Sequence, residues 1–343
     1  MRYIPSFLKN MLAAALILLP MAAFAAPQPE PLKTAWLGEY EAFPVWYAKE
    51  KGWDKEAGFN VEMLRFESGK ALIEGMKAYK WSIGGCGAVP TVSTSFSDSF
   101  SIVAVAGDES AANTIFVRPD SPILKVKGNE AEYPEVFGNA ATVKGKKVLC
   151  PQGTSAHYTL VNWLKAIGLT EKDVRVQFMH PMQATGAFKG GVGDILVTWA
   201  PYTYAAESAG FKRAAVAADC RLELPLVLLA DKKFAAEQAE TVKSFLKLYQ
   251  RSAAVLTAEP SKEVVDAYMR FSKEWAGRIL SEAEVLADLR THNVYSVEEQ
   301  NLYLNDGIGL MKQVLERIGQ FRAGHGAEVV LPAVDGSMLP TRP

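Results

Sequence analysis

A short strand that runs through a glycine turn into a capped helix constrains this chain more than any other feature. Lys147–Cys150 is a compact apolar run, followed by the turn Pro151-Gln152-Gly153. Tyr158, Val161, Leu164 and Ile167 then recur at helical spacing, and Gly168 stops them. Ser155 is the expected N-cap of that helix. Such a junction aims several backbone N–H groups at one spot and adds the positive end of the helix dipole, which suits a small anionic group. No Gly-x-x-x-x-Gly-Lys-Ser/Thr occurs in the chain, so this is not a P-loop.

The same alternation of short strand and helix runs along most of the sequence. Leu32 to Leu37, Val61 to Phe66, Trp81 to Gly84 and Ser101 to Ala106 read as strands, with helices expected at Phe43 to Lys51 and Lys70 to Tyr79. Residues 119–142 have a loop-like texture. A second series then follows, with strands at Lys147 to Cys150, Arg175 to Phe178, Ile195 to Thr198 and Ala214 to Ala217. Leu224 to Ala230 leads back out. The rest is largely helical, with Val242, Phe245, Leu246 and Tyr249 on one face and Leu304, Ile308, Met311, Leu315 and Ile318 on another. The pattern predicts an α/β protein of two lobes, each a parallel sheet covered by helices, with crossovers near 112–118 and 219–226 and a helical C-terminal region. The expected division is a leader over 1–25, a first lobe over 26–115, a second over 116–220, a return to the first over 221–323, and a tail over 324–343. A length of 343 residues accommodates two lobes comfortably.

The leader reads as a signal peptide. Arg2 and Lys9 precede the apolar run Met11 to Met21, and Ala23-Phe24-Ala25 fits the small-x-small cleavage rule, which predicts cutting before Ala26 and export. The run is short for a membrane anchor, which takes about 20 residues. Cleavage removes two cations from a chain whose formal charge is already −1, leaving no basic footprint for nucleic acid. Cysteine is limited to Cys86, Cys150 and Cys220. Export permits a disulfide, for which Cys150 and Cys220 are available, but an odd count leaves a free or intermolecular thiol, and burial as small residues is the favoured reading. His157, His180, His292 and His325 are widely spaced, and neither His-Glu-x-x-His nor Cys-x-x-Cys occurs, so spacing supports no metal site and no cofactor. Gly-x-Ser-x-Gly is also absent.

Four strand-to-helix junctions are expected to face a cleft between the lobes: Gly38 to Phe43, Gly84 to Pro90, Gly153 to His157, and Thr198 to Tyr202. Together with Phe43-Pro-Val-Trp-Tyr-Ala-Lys-Glu-Lys-Gly-Trp53, Val143 to Tyr158, and Phe188 to Ile195 leading into Trp199-Ala-Pro-Tyr202, their arrangement resembles the periplasmic substrate-binding proteins of ABC importers. The nearest group handles taurine, other sulfonates, nitrate and thiamine-pyrimidine precursors. The resemblance covers nearly the whole mature chain and implies a two-lobed periplasmic-binding-protein fold. It implies ligand contacts around Tyr40 and Phe43, around Gly87 and Ala88, and at Thr154 and Ser155 with His157 nearby, and a wall formed by Trp199. The chain departs from the group's pattern at Ala200, where an acidic residue is frequent, at Cys86 to Val89 in the second loop, and in the length of 119–142.

Glu39 and Glu41 bear on the ligand. A carboxylate turned into the cleft repels a simple anion such as nitrate and favours a zwitterion such as taurine; both can equally be solvated surface charges. The leading expectation is a monomeric, non-enzymatic solute-binding protein that closes on a small organic anion or zwitterion and is read by an ABC permease with its ATPase subunits. Nitrate, amino acids and pyrimidine precursors are alternative ligands. A desulfinase-like enzyme using Cys86, with His157 as base, is an alternative of another class, and a periplasmic sensor is a third.

Overall fold

The structure is a computed structural model and describes residues 30–92, 96–256, 259–305, 309–326 and 328–340. The expected leader and its cleavage point lie outside the described residues. Among those residues no helix is long and apolar enough to cross a membrane.

Among the described residues, twelve strands form two sheets. The first contains β1 (Leu32–Leu37), β2 (Val61–Phe66), β3 (Ile83–Gly87), β4 (Phe100–Asp108), β10 (Pro225–Asp231) and the short β11 (Asn293–Val294) and β12 (Ala333–Val334). Its order is β11-β4-β10-β3-β1-β2, with β12 also on β4. The second contains β5 (Asn113–Val117), β6 (Lys147–Cys150), β7 (Arg175–Phe178), β8 (Ile195–Trp199) and β9 (Lys212–Val216), in the order β7-β6-β8-β5-β9.

Neither sheet is purely parallel as expected. β1 runs parallel to β2 and β3, and β6 parallel to β7 and β8, but β10 is antiparallel to β3 and β4, and β5 antiparallel to β8 and β9. The reason is connectivity. β5 and β10 are the first strands after each passage between the lobes. They enter at the carboxyl ends of their neighbours and must run back against them. The passages lie between Asp108 and Asn113 and between Val216 and Pro225. The expected boundary between 115 and 116 therefore falls inside β5.

Other differences are local. The helix expected over Lys70 to Tyr79 is interrupted at Gly75, giving Gly69–Glu74 and Met76–Tyr79. The C-terminal apolar face is split between the helices Val297–Leu304 and Leu310–Gly324, with Gly309 in the left-handed region at φ 63° before the second; position 308 lies outside the described residues. Cys86, Cys150 and Cys220 are all buried free thiols.

The lobes are joined by more than the crossings. Ala200 and Tyr204, which follow β8 of the second sheet, pack into the first lobe's core with Phe43, Tyr268 and Leu289. On the other flank Tyr158 joins Met311, Leu315 and Phe321. Two seams of apolar contact thus hold the lobes together on either side of the cleft.

Candidate functional site

The two crossing segments are bonded to each other. Glu109 N–H donates to Leu224 O at 2.9 Å, and Asp108 accepts from Leu224 N–H at 2.8 Å and from Ser110 N–H at 2.9 Å. This pins the first residue of the crossover, Glu109, at the carboxyl end of β4. Its side chain points into a cavity of about 20 Å³ lined by Leu37, Glu39, Gly69, Gly87, Pro90 and Glu109 from the first lobe and its exit, and by Thr154, Ser155 and Trp199 from the second. That space fits about one water molecule. The lobes are shut, and an organic solute must part them to enter.

Each second-lobe contact arises from a strand end. β6 ends at Cys150, and Gly153 takes φ 72° to turn the chain into the helix Ser155–Ala166. Thr154, not Ser155, is the N-cap: it is extended (φ −111°, ψ 175°) and accepts from His157 N–H. Ser155, one position inside the helix, is thereby freed to donate its hydroxyl to Glu109 Oε1 at 2.5 Å. Trp199 ends β8, and its Nε1–H donates to Glu39 Oε1 at 2.7 Å. Each buried carboxylate thus accepts one bond from the opposite lobe.

The electrostatics are acidic. Burial raises Glu39 to about 7, against the lowering influence of Arg278 and of the Trp199 bond. Burial also raises Glu109 to about 7, offset in part by Ser155 and His292. Glu41 lies deeper, with Oε1 buried and unpartnered, and burial together with the Glu39 charge holds its carboxyl well above the usual range. Arg278 is the cation that most lowers Glu39. It donates to Gly38 O and to Tyr202 Oη, the latter at 2.6 Å, and its guanidinium lies 4.5 Å from the centroid of the Tyr202 ring. Arg278 does not line the cavity, which leaves the two carboxylates as its charged groups.

Of the ten residues expected at the ligand, Glu39, Gly87, Thr154, Ser155 and Trp199 line this cavity together. The others stand elsewhere. Phe43 is fully buried among Tyr47, Tyr268 and Phe271, because it begins a helix whose inner face packs on the C-terminal helices. Ala88 is core in the first turn of the helix Ala88–Val92. Tyr40 stacks on His292 at 4.4 Å, and Glu41 lies beneath Glu39. His157 turns away: its Nδ1 accepts from Gly153 N–H at 3.2 Å and its Nε2 meets Glu171 Oε1 at 2.7 Å.

Glu109 was missed by sequence reasoning. Its signal is an acidic residue at the end of the long apolar strand β4, where the chain leaves the lobe. Gly87 earns its place by contact: a Cβ there would collide with Glu109 Oε1 and lie 2.9 Å from Ser155 Oγ.

Behind the cleft, Asp288 accepts from Tyr204 Oη at 2.7 Å and from Tyr268 Oη, and faces His292 Nδ1 at 3.3 Å. Burial alone would raise Asp288, but His292 and the two hydroxyls bring it below its ordinary value. Tyr204 belongs to the second lobe, so this network also crosses between lobes. Cys86 is a poor nucleophile, since burial and the charges of Glu41, Glu109 and Glu39 raise its thiol strongly. His157, the base of the alternative enzyme, is bonded to Gly153 and Glu171.

The model of the NMT1-like family matches residues 25–267. A putative ABC transporter periplasmic binding protein of Brachyspira hyodysenteriae is 27% identical over 281 residues, covering 81% of this chain and 80% of that one. A putative aliphatic sulfonates-binding protein of Bacillus subtilis is 27% identical over 266 residues, covering 75% and 76%. Among solved structures, the periplasmic aliphatic sulphonate binding protein of Escherichia coli superposes with a TM-score of 0.69 at 19% identity, over 90% of this chain and 96% of that one. The fold is that of the periplasmic binding proteins.

Proposed function

The chain belongs to the NMT1-like family, and from that membership we propose that it is the periplasmic solute-binding component of an ABC importer whose ligand carries a cationic nitrogen. The observation that carries the ligand reading is the presence of Glu39 and Glu109 in one small cavity with Thr154 and Ser155. Two buried carboxylates repel a bare anion and are stabilised by an ammonium. The opposite wall supplies the amino end of the helix Ser155–Ala166, which suits an acid group. A small zwitterion of the taurine type satisfies both walls. The names of the relatives in the sulfonate group fit the acidic end of such a ligand.

Function then follows from hinge closure. The ligand binds between parted lobes, replaces the strain of neighbouring carboxylates with ion pairs, and shifts the equilibrium toward the shut form. The membrane permease with its ATPase subunits reads that form. A second reading, a cationic amine or aminopyrimidine without an acid group, is favoured by the third carboxylate, Glu41, beneath the site.

A thermal-shift panel of taurine, unaminated alkanesulfonates, nitrate, amino acids, dicarboxylates and aminopyrimidines tests the reading. Stabilisation by amine-bearing compounds alone is expected. Stabilisation by nitrate or by unaminated sulfonates would overturn the ligand class, while leaving a binding protein in place.

A further inference from the structure

On the far side of the junction from the cleft, His157, Glu171 and His325 converge. Their ligand-capable atoms all lie within 4.8 Å of one another. His157 Nε2 is 2.7 Å from Glu171 Oε1, and His325 Nε2 contacts Glu171 Oε2. They edge a cavity of about 510 Å³ that shares no lining residue with the ligand cleft. We propose that these three side chains form a binding site for a late first-row divalent cation of the zinc type.

Two imidazoles and one carboxylate are a donor set that zinc accepts, with the cavity side left for water or a further ligand. Bonds of about 2.0–2.2 Å place tetrahedral donors roughly 3.3 Å apart, and small side-chain movements reach that spacing from the present one. Glu171 supplies the oxygen donor between the two imidazoles. His325 is already oriented, since its Nδ1–H donates to Phe321 O at 2.6 Å and leaves Nε2 for a metal. His157 must change: its Nδ1 now accepts from Gly153 N–H, so Nε2 holds the ring proton. A cation at Nε2 moves that proton to Nδ1 and releases the Gly153 bond. His325 binds through Nε2 while its Nδ1–H stays on Phe321 O.

The site also joins two bodies. His157 and Glu171 belong to the second lobe, and His325 follows the helix Leu310–Gly324, which packs on the first-lobe helix Ala88–Val92. A bound cation therefore staples the lobes on the flank away from Trp199.

Isothermal titration of the chelator-treated protein with zinc chloride tests this. One saturable site per chain is expected, weakened at least tenfold by His325→Ala and by Glu171→Gln, with zinc raising the melting temperature of the parent chain and not of His325→Ala. Glu171→Gln preserves shape and keeps the test valid if His325→Ala folds poorly. No saturable heat, or equal binding by the parent and both variants, would overturn the proposal.

Discussion

Trp199 and Glu39 meet across the cleft: the indole Nε1–H at the end of a second-lobe strand donates to a buried first-lobe carboxylate at 2.7 Å. The bond exists only when the lobes are shut. It holds charge on a group that burial otherwise drives toward neutrality, so closure and the ionisation of Glu39 are linked.

Trp199→Phe removes that donor and keeps the ring. A hydrogen bond to a charged group contributes about 1.5–3 kcal/mol, so ligand affinity is expected to fall roughly ten- to a hundredfold. Titration calorimetry checks it. Unchanged affinity would show that Glu39 is held by Arg278 alone.

Apo stability should depend on pH through the same carboxylates. Glu39 and Glu109 rise from 4.5 to about 7 on folding. The folded state therefore binds more protons between those values, and their contribution is full below pH 4.5 and lost as pH rises through about 7. The melting temperature of the parent, relative to that of Glu39→Gln/Glu109→Gln, should fall over this window and level off above it. Affinity for a cationic ligand should move the opposite way and strengthen up to about pH 7. Parallel melting curves for parent and variant would contradict the assignment.

Gly87→Ala introduces a methyl against Glu109 and Ser155. Overpacking of this kind costs about 1–3 kcal/mol. The contact with Glu109 lies on the first lobe and its exit, and the contact with Ser155 adds strain to the shut form, because Ser155 comes from the other lobe. The expected result is weaker ligand binding with a smaller change in the ligand-free melting temperature, read by calorimetry and circular dichroism. An equal loss in both would place the strain within the first lobe.

Asp288→Ala leaves His292 buried without its carboxylate and strips the Tyr204 and Tyr268 hydroxyls of their acceptor. Breaking a buried charge pair from one side costs about 3–5 kcal/mol. Chemical denaturation should show a loss of that size. Tyr204→Phe, which removes the interlobe bond to Asp288 and leaves the carboxylate in place, should cost about 1 kcal/mol.

The sequence disclosed most of the frame because strands such as Val61–Phe66 and Lys147–Cys150 are short apolar runs with turns at both ends. It did not disclose strand direction. β5 and β10 look like any buried strand, and only their position after a crossing makes them antiparallel. At the site, Glu39, Gly87, Thr154, Ser155 and Trp199 were legible as strand-end residues. Phe43 and His157 were not, since neighbours in sequence can face opposite sides of a junction: Ser155 meets Glu109, while His157, two positions on, meets Glu171. The His157, Glu171 and His325 cluster was invisible for the same reason, because its members come together only where the C-terminal helix reaches the second lobe.

Glu39 and Glu109 are proposed to receive a cationic nitrogen. Calorimetric titration with a matched pair, taurine and ethanesulfonate, tests it most directly, because the two share the sulfonate and differ in the amine. Taurine is expected to bind, to lose that binding in Glu39→Gln/Glu109→Gln, and ethanesulfonate to bind little or not at all. Ethanesulfonate binding as tightly as taurine, undiminished in the double variant, would contradict it.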